Sequence, residues 1–244
     1  LPDLDNWNPT AAAQQFVDLL FPIAAAPRRQ TAIDAWESFN EPAPVNADQM
    51  ARLAEFESER TRLLGAAGIR SCVGNFSTGQ PDLALWPAFY PALQAAQEHG
   101  GYLGLHEYSA PEMWFGSGVH QLQDGSNEGD EGWLTLRYRK VYRNFLQPAG
   151  LVVPLIVTET GVDGQVSGRP GPQGKGWKDF AAYWVAQGLA TTTPAGFYIE
   201  QLAWYDAEIA KGGYVLGAAI YTLAGPSGWE AFEIHGQAAD ILRE

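Results

Sequence analysis

Thr31-Ala32-Ile33-Asp34-Ala35-Trp36-Glu37-Ser38-Phe39-Asn40-Glu41-Pro42 decides how the rest of the chain is read. Residues 31–39 read as a strand, and the polar Asn40-Glu41 pair followed by Pro42 closes it. On its amino-terminal side, residues 10–26 carry helical spacing, with Phe16, Leu19 and Leu20 on one side and Asn8 or Thr10 as cap. On its carboxy-terminal side, residues 46–67 read as an amphipathic helix. Asn46 with Gln49 resembles a capping box, and Gly65 and Gly68 mark the end.

The same alternation continues outward. Strands are expected at 69–75, 102–108, 152–158 and 214–223, and helices at 84–99, 133–146, 180–189 and 196–211, with a last helix beginning at 237–244. Two long loops follow strands: 109–132, rich in Gly, Asp and Glu, and 161–176, rich in Gly and Pro with Arg169 and Lys175. Strand alternating with helix is the pattern of a parallel α/β architecture. Nothing in the middle of the chain reads as a linker, so residues 1–244 are taken as a single domain.

Composition narrows the function classes. At 244 residues and 46% hydrophobic the chain can build a sizeable core. A formal net charge of −13 repels phosphate backbones and anionic bilayers, so neither nucleic acid nor membrane is an expected partner. No apolar run is long enough to span a bilayer. Cys72 is the single cysteine, which excludes an intrachain disulfide and CxxC sites, and its apolar setting reads as core. Nine Trp, ten Tyr and eleven Phe suit a carbohydrate cleft, since ring faces stack on sugars, but they suit an ordinary core almost as well.

Chemistry concentrates at strand ends. Glu41 ends the first strand. In Ile156-Val157-Thr158-Glu159-Thr160-Gly161, Glu159 ends another. A carboxylate in that place is half desolvated, which can keep one acid protonated and another ionised. Glycosidic cleavage needs two such groups facing across the scissile bond, at about 5–5.5 Å for retention.

These residues resemble the clan of retaining glycoside hydrolases on (β/α)8 TIM barrels, whose cellulase-like members, families 5 and 39 among them, carry Asn-Glu-Pro at the end of strand 4 and a nucleophilic glutamate on strand 7. Asn40-Glu41-Pro42 and Thr158-Glu159-Thr160-Gly161 match these, and His106-Glu107-Tyr108 matches the His-x-Tyr of strand 6. The resemblance implies Glu41 as acid/base and Glu159 as nucleophile. It implies that Tyr108 donates to Glu159, that His106 orients the acid/base or the substrate, and that Asn40 meets the sugar 2-hydroxyl. Trp114, Trp133, Trp177 and Trp229 lie in or beside the loops and are candidates to line the sugar cleft, with Asn75 a weaker one. Trp229 or Tyr221 is the candidate ring platform under the reacting sugar. Glu37 shares parity with Glu41 and is expected to be a buried carboxylate paired with an arginine. Glu107 has opposite parity to His106 and Tyr108 and is expected to be structural.

The strands counted here correspond to barrel strands 4–8. Strands 1–3 are expected from a missing segment or another chain, because five strands alone leave two sheet edges open. The expected activity is double-displacement hydrolysis of a β-linked oligo- or polysaccharide, in an extracellular or periplasmic setting, with no cofactor and no metal. The alternative is a catalytically inactive carbohydrate-binding relative. An unrelated α/β enzyme finds no support, since neither a phosphate loop nor a GxSxG elbow is present.

Overall fold

The structure, a computed structural model, describes residues 3–117, 131, 132, 134–236 and 242. Its elements run α1 (Pro9–Ala24), a short α2 (Pro27–Gln30), α3 (Ala47–Gly65), β1 (Cys72–Phe76), α4 (Trp86–Glu98), β2 (Tyr102–Ser109), a single turn α5 (Tyr138–Val141), β3 (Leu155–Val162), α6 (Trp177–Ala186), α7 (Pro194–Ile209) and β4 (Val215–Ile220). The parallel strands hydrogen-bond in the order β1-β2-β3-β4, the pattern of a strand–helix repeat. Among the described residues no helix is long and apolar enough to cross a membrane.

Local chemistry explains the helix starts. Asn8 accepts the Ala11 N–H at 3.0 Å and starts α1. Asn46 accepts the Gln49 N–H at 2.9 Å, while the Gln49 side chain reaches back to the Val45 N–H at 2.9 Å. This is a capping box displaced by one residue. Thr193 caps α7 by accepting from Gly196 at 3.0 Å, with Pro194 in the first turn.

The chain divides into two compact units. The first comprises residues 1–106 and 140–158, the second 107–139 and 159–244, so β2 and β3 each contribute to both. In the first unit, α3 turns Met50, Leu53, Ala54, Phe56 and Leu64 inward. Phe56 stacks obliquely on Trp7 and Phe39, with ring centroids 5.1 and 4.9 Å away. A phenylalanine wholly removed from water contributes about 1.5–3 kcal/mol. Phe76 of β1 meets Trp86 and Phe89 of α4 edge-on. In the second unit, Trp177 lies flat on Tyr198 at 5.0 Å, and Phe180, Trp184 and Tyr205 are fully enclosed.

Several expectations are corrected. The strand expected at 31–39 is reduced to one parallel bridge, Trp36 to Ser71. The N–H groups of residues 31–33 turn back onto α2, while at the bridge the Trp36 N–H donates to the Arg70 carbonyl and the Cys72 N–H to the Trp36 carbonyl, both at 3.0 Å; the guanidinium of Arg60 adds bonds to the Trp36 and Cys72 carbonyls at 2.9 and 3.0 Å. Arg60 is paired with Glu57 at 2.6 Å, both buried, and Ser38 donates to Glu57. The buried carboxylate with an arginine is therefore Glu57; Glu37 is exposed. The helix expected at 133–146 begins at Tyr138, because the Glu107 carboxylate captures the Leu136 and Tyr138 N–H groups at 2.7 and 3.0 Å. It runs into a π turn at Tyr142–Leu146. β3 starts later than expected and continues to Val162, so Glu159 sits inside the strand rather than at its end. Trp133, residues 118–130 of the first long loop and, Leu242 excepted, the expected final helix at 237–244 lie outside the described residues.

Candidate active site

The groups around Glu41 belong to the first unit. Glu41 itself has φ +50, a backbone region that non-glycine residues seldom adopt. Its N–H donates to the Asn75 carbonyl at 3.1 Å, which ties the turn to the end of β1. Its carboxylate meets His106 of β2, with Nδ1 2.9 Å from Oε1. The His106 side chain is wholly buried, whereas that of Glu41 is 41% exposed. The His106 hydrogen bond, aided by one from Ser77, holds the Glu41 carboxyl below the usual carboxylate range against the opposing effect of partial burial. Thr78 donates to the His106 carbonyl at 3.2 Å, so the turn after β1 grips both members of the pair. Asn40, exposed, accepts a hydrogen bond from Asn75 Nδ2 at 3.2 Å.

The groups around Glu159 belong to the second unit. Tyr108 of β2 donates to Glu159 Oε2 at 2.8 Å. Burial, and then the charge of Glu159, push the Tyr108 hydroxyl far above its usual range, so it remains a donor at any working pH. Tyr221, just past β4, is raised in the same way, first by burial and then by Glu159. Its N–H donates to the Thr160 carbonyl at 3.0 Å, which sets it beside β3. The Glu159 carboxylate thus accepts a hydrogen bond from one phenol, and its charge raises both.

His106 and Tyr108 are two residues apart on β2 and so share a face of the strand, while Glu107 points the other way. Glu107 is buried and holds the Leu136 and Tyr138 N–H groups and the Tyr205 hydroxyl, the last at 2.7 Å. Burial pushes its carboxyl up to about 7. It fastens the 136–138 turn and α7 to β2.

The tryptophans divide. Trp177 is buried, stacked on Tyr198 and donating to the Glu233 carbonyl at 3.2 Å, so packing occupies its ring. Trp114 is half-buried, edge-on to Phe197 and Trp204 at 5.5 and 6.0 Å. Trp229 is half-buried, with the Lys175 ammonium 5.2 Å from its ring centre, and packs with Tyr221 and Phe232. Sequence reasoning missed Ser77, Thr78 and Thr158. The signal was available for the first two in Ser77-Thr78-Gly79, a polar turn directly after a strand.

No protein-family model matches the chain, and no curated protein matches it in sequence. Solved structures do. A β-glucuronidase from Bifidobacterium dentium complexed with coumarin-3-O-glucuronide aligns with a TM-score of 0.53 at 14% identity, over 95% of this chain and 33% of that one. A β-glucuronidase from an uncultured Clostridium species aligns at 0.49 and 13%, over 96% and 35%. An endo-β-1,4-mannanase from Thermotoga petrophila aligns at 0.45 and 14%, over 96% and 48%. The chain thus spans about a third to a half of the length of these structures. The first likeness shows the fold, a TIM-barrel-like α/β fold of the kind glycoside hydrolases carry.

Proposed function

We propose that the protein hydrolyses a β-linked oligo- or polysaccharide with retention, using Glu159 as nucleophile and Glu41 as acid/base. The observation that carries this reading is the pairing of each glutamate with its own donor on one strand, Tyr108 with Glu159 and His106 with Glu41. A nucleophile must be held toward the anomeric carbon, and the Tyr108 hydroxyl fixes one oxygen of Glu159 by donating to it. Glu159 attacks the anomeric carbon as the glycosidic C–O bond breaks, and the proton on Glu41 passes to the leaving oxygen. Glu41 then takes a proton from water, which attacks the anomeric carbon and frees Glu159.

The lowered proton affinity of Glu41 opposes its first task, because a general acid must begin protonated. Two features reconcile them. The carboxyl is partly exposed, so a bound sugar strips water from it and raises its affinity for a proton. His106 Nδ1 lies within transfer distance at 2.9 Å. In this reading His106 orients Glu41 and shares its proton. Asn40 meets the 2-hydroxyl, a contact that strengthens as the transition state forms. Tyr221 and Trp229 supply the ring platform, and Trp114 a more distant aromatic contact. Trp177 is left out because its ring is covered.

The reading places these strands as 4–8 of a barrel, with strands 1–3 supplied by a separate segment or chain. It also places the enzyme outside the cytoplasm, where polymeric glycans are found. No cofactor or metal enters the chemistry.

The test uses 4-nitrophenyl β-glucoside, β-glucuronide, β-mannoside and β-galactoside. For the probe that turns over, proton NMR of the first-formed sugar should show the β-anomer, and a 2-deoxy-2-fluoro glycosyl fluoride of that sugar should label Glu159. An α-anomeric first product replaces retention by inversion. No turnover, with glycan binding retained, favours the inactive carbohydrate-binding relative.

A further inference from the structure

The register of β1 against β2 contains an irregularity that the fold alone does not require. Cys72, Val73 and Gly74 face Tyr102, Leu103 and Gly104, but the next pair is Phe76 with Leu105, which leaves Asn75 as an extra residue. Such a bulge re-aims a side chain. Gly74 and Asn75 reach it with φ +93 and +49, and asparagine is among the non-glycine residues that tolerate the left-handed region best. Opposite the bulge stands Gly104. A Cβ there would lie 2.9 Å from Cys72 Sγ and 3.3 Å from Asn75 Oδ1, so the missing side chain leaves room for the amide.

Asn75 is 2% exposed, and three of its polar groups have partners. Its carbonyl accepts the Glu41 N–H at 3.1 Å, joining two left-handed residues. Its Oδ1 accepts from the Thr158 hydroxyl. Its Nδ2 donates to Asn40 Oδ1 at 3.2 Å. The direction of this relay matters. With Thr158 donating, the Asn75 oxygen faces Thr158 and its nitrogen faces Asn40. That occupies the Asn40 oxygen and leaves the Asn40 amide nitrogen as the group offered outward.

We propose that Asn75 is a positioning residue: it fixes Asn40 as a hydrogen-bond donor to the sugar 2-hydroxyl and holds the backbone on which Glu41 is presented. The inference rests on the roles given above to Asn40 and Glu41. Thr158 sets the polarity of the relay from β3.

Asn75→Gly keeps the left-handed backbone and the carbonyl that receives Glu41 N–H, and removes only the amide. On an aryl β-glycoside, kcat/KM should fall by about 10-fold, as for one misdirected hydrogen bond. On the 2-deoxy counterpart of that substrate it should change by roughly twofold or less. In an Asn40→Ala background Asn75→Gly should add nothing further. Equal losses on both substrates, or additive losses with Asn40→Ala, overturn the proposal.

A second readout needs no turnover. In the ¹H–¹⁵N spectrum, the Asn40 side-chain amide pair should shift and broaden in Asn75→Gly while remaining unmoved in the control Gln14→Ala, on the exposed face of α1. An unmoved Asn40 pair in Asn75→Gly overturns the proposal. Failure of the wild-type protein on every aryl glycoside would instead count against the glycosidase reading, and the spectrum would still decide the role of Asn75.

Discussion

Glu41 and Glu159 are the same residue type presented by opposite means. Glu159 lies inside β3, where the ladder sets its direction and regular backbone needs no special support. Glu41 lies on an irregular segment with a left-handed backbone, held from several sides. Asn75 takes its N–H, His106 and Ser77 take its carboxylate, and the buried Glu57–Arg60 pair ties Ser38 and the Trp36 carbonyl further back. The lesson is one of economy. Under the proposed roles, a nucleophile that only needs to point can ride on a strand. Under the same proposal, an acid/base that changes protonation state twice per cycle is served by a half-exposed place on a turn, where its surroundings can change with substrate.

The largest effects should come from breaking each side of that comparison separately. Glu159→Ala should lower kcat on an aryl β-glycoside by on the order of 10⁴–10⁶-fold, as for loss of a covalent nucleophile. Glu41→Ala should lower it by about 10²–10⁴-fold with a poor leaving group, and less with 2,4-dinitrophenolate, which needs little protonation. Azide separates the two roles: it should rescue Glu159→Ala to an α-glycosyl azide and Glu41→Ala to a β-glycosyl azide. The reverse product pattern would exchange the two assignments, and no rescue of either would sink both.

The difference between the two glutamates also marks what the sequence could reveal. The regular parts were legible because periodicity and caps are local. Asn46 with Gln49 announced α3, and the parity of His106, Glu107 and Tyr108 separated two inward residues from an outward one. The strand at 31–39 was misread because the N–H groups of residues 31–33 turn back onto α2 and the parallel bridge is confined to Trp36, whose carbonyl Arg60, far along the chain, also grips; no local pattern encodes that. The same holds for the late start of α5, which Glu107 delays by capturing two N–H groups 29 and 31 residues away. Asn75 could be guessed as a strand-end polar residue, but the bulge that aims it depends on Gly104 across the ladder. Trp177 shows the converse error: a tryptophan beside a loop looks like a sugar platform until its stacking partner, Tyr198, is known.

Tyr108→Phe sharpens the comparison on the Glu159 side. It deletes one donor to a charged acceptor and leaves the ring packing in place. Such bonds contribute about 1.5–3 kcal/mol, so kcat/KM should fall by roughly 10–150-fold. A kcat/KM within about twofold of the wild type would make Tyr108 a packing residue and not a donor that matters to Glu159.

The smallest effect concerns stability and isolates Glu107, the acid between His106 and Tyr108 that faces away from both. Burial raises its carboxyl from 4.5 to about 7, despite hydrogen bonds from Tyr138, Tyr205 and Leu136 and the charge of Arg137 that pull the other way. The folded protein therefore binds more protons than the unfolded chain between these values. Stability from this group is fully present below about pH 4.5 and is lost as pH rises through about 7. The unfolding free energy from urea titrations should decline across that window by an amount on the order of 1–3 kcal/mol. Glu112, raised to about 7 by burial alone, contributes in the same direction, so Glu107→Gln should flatten the decline without abolishing it. Gln keeps one acceptor oxygen where the carboxylate has two, so it holds the Leu136 or the Tyr138 N–H but not both, and the variant should be less stable at every pH as well as flatter in its pH dependence. A decline that is as steep in Glu107→Gln as in the wild type would mean that Glu107 is ionised throughout, its three hydrogen bonds having outweighed its burial.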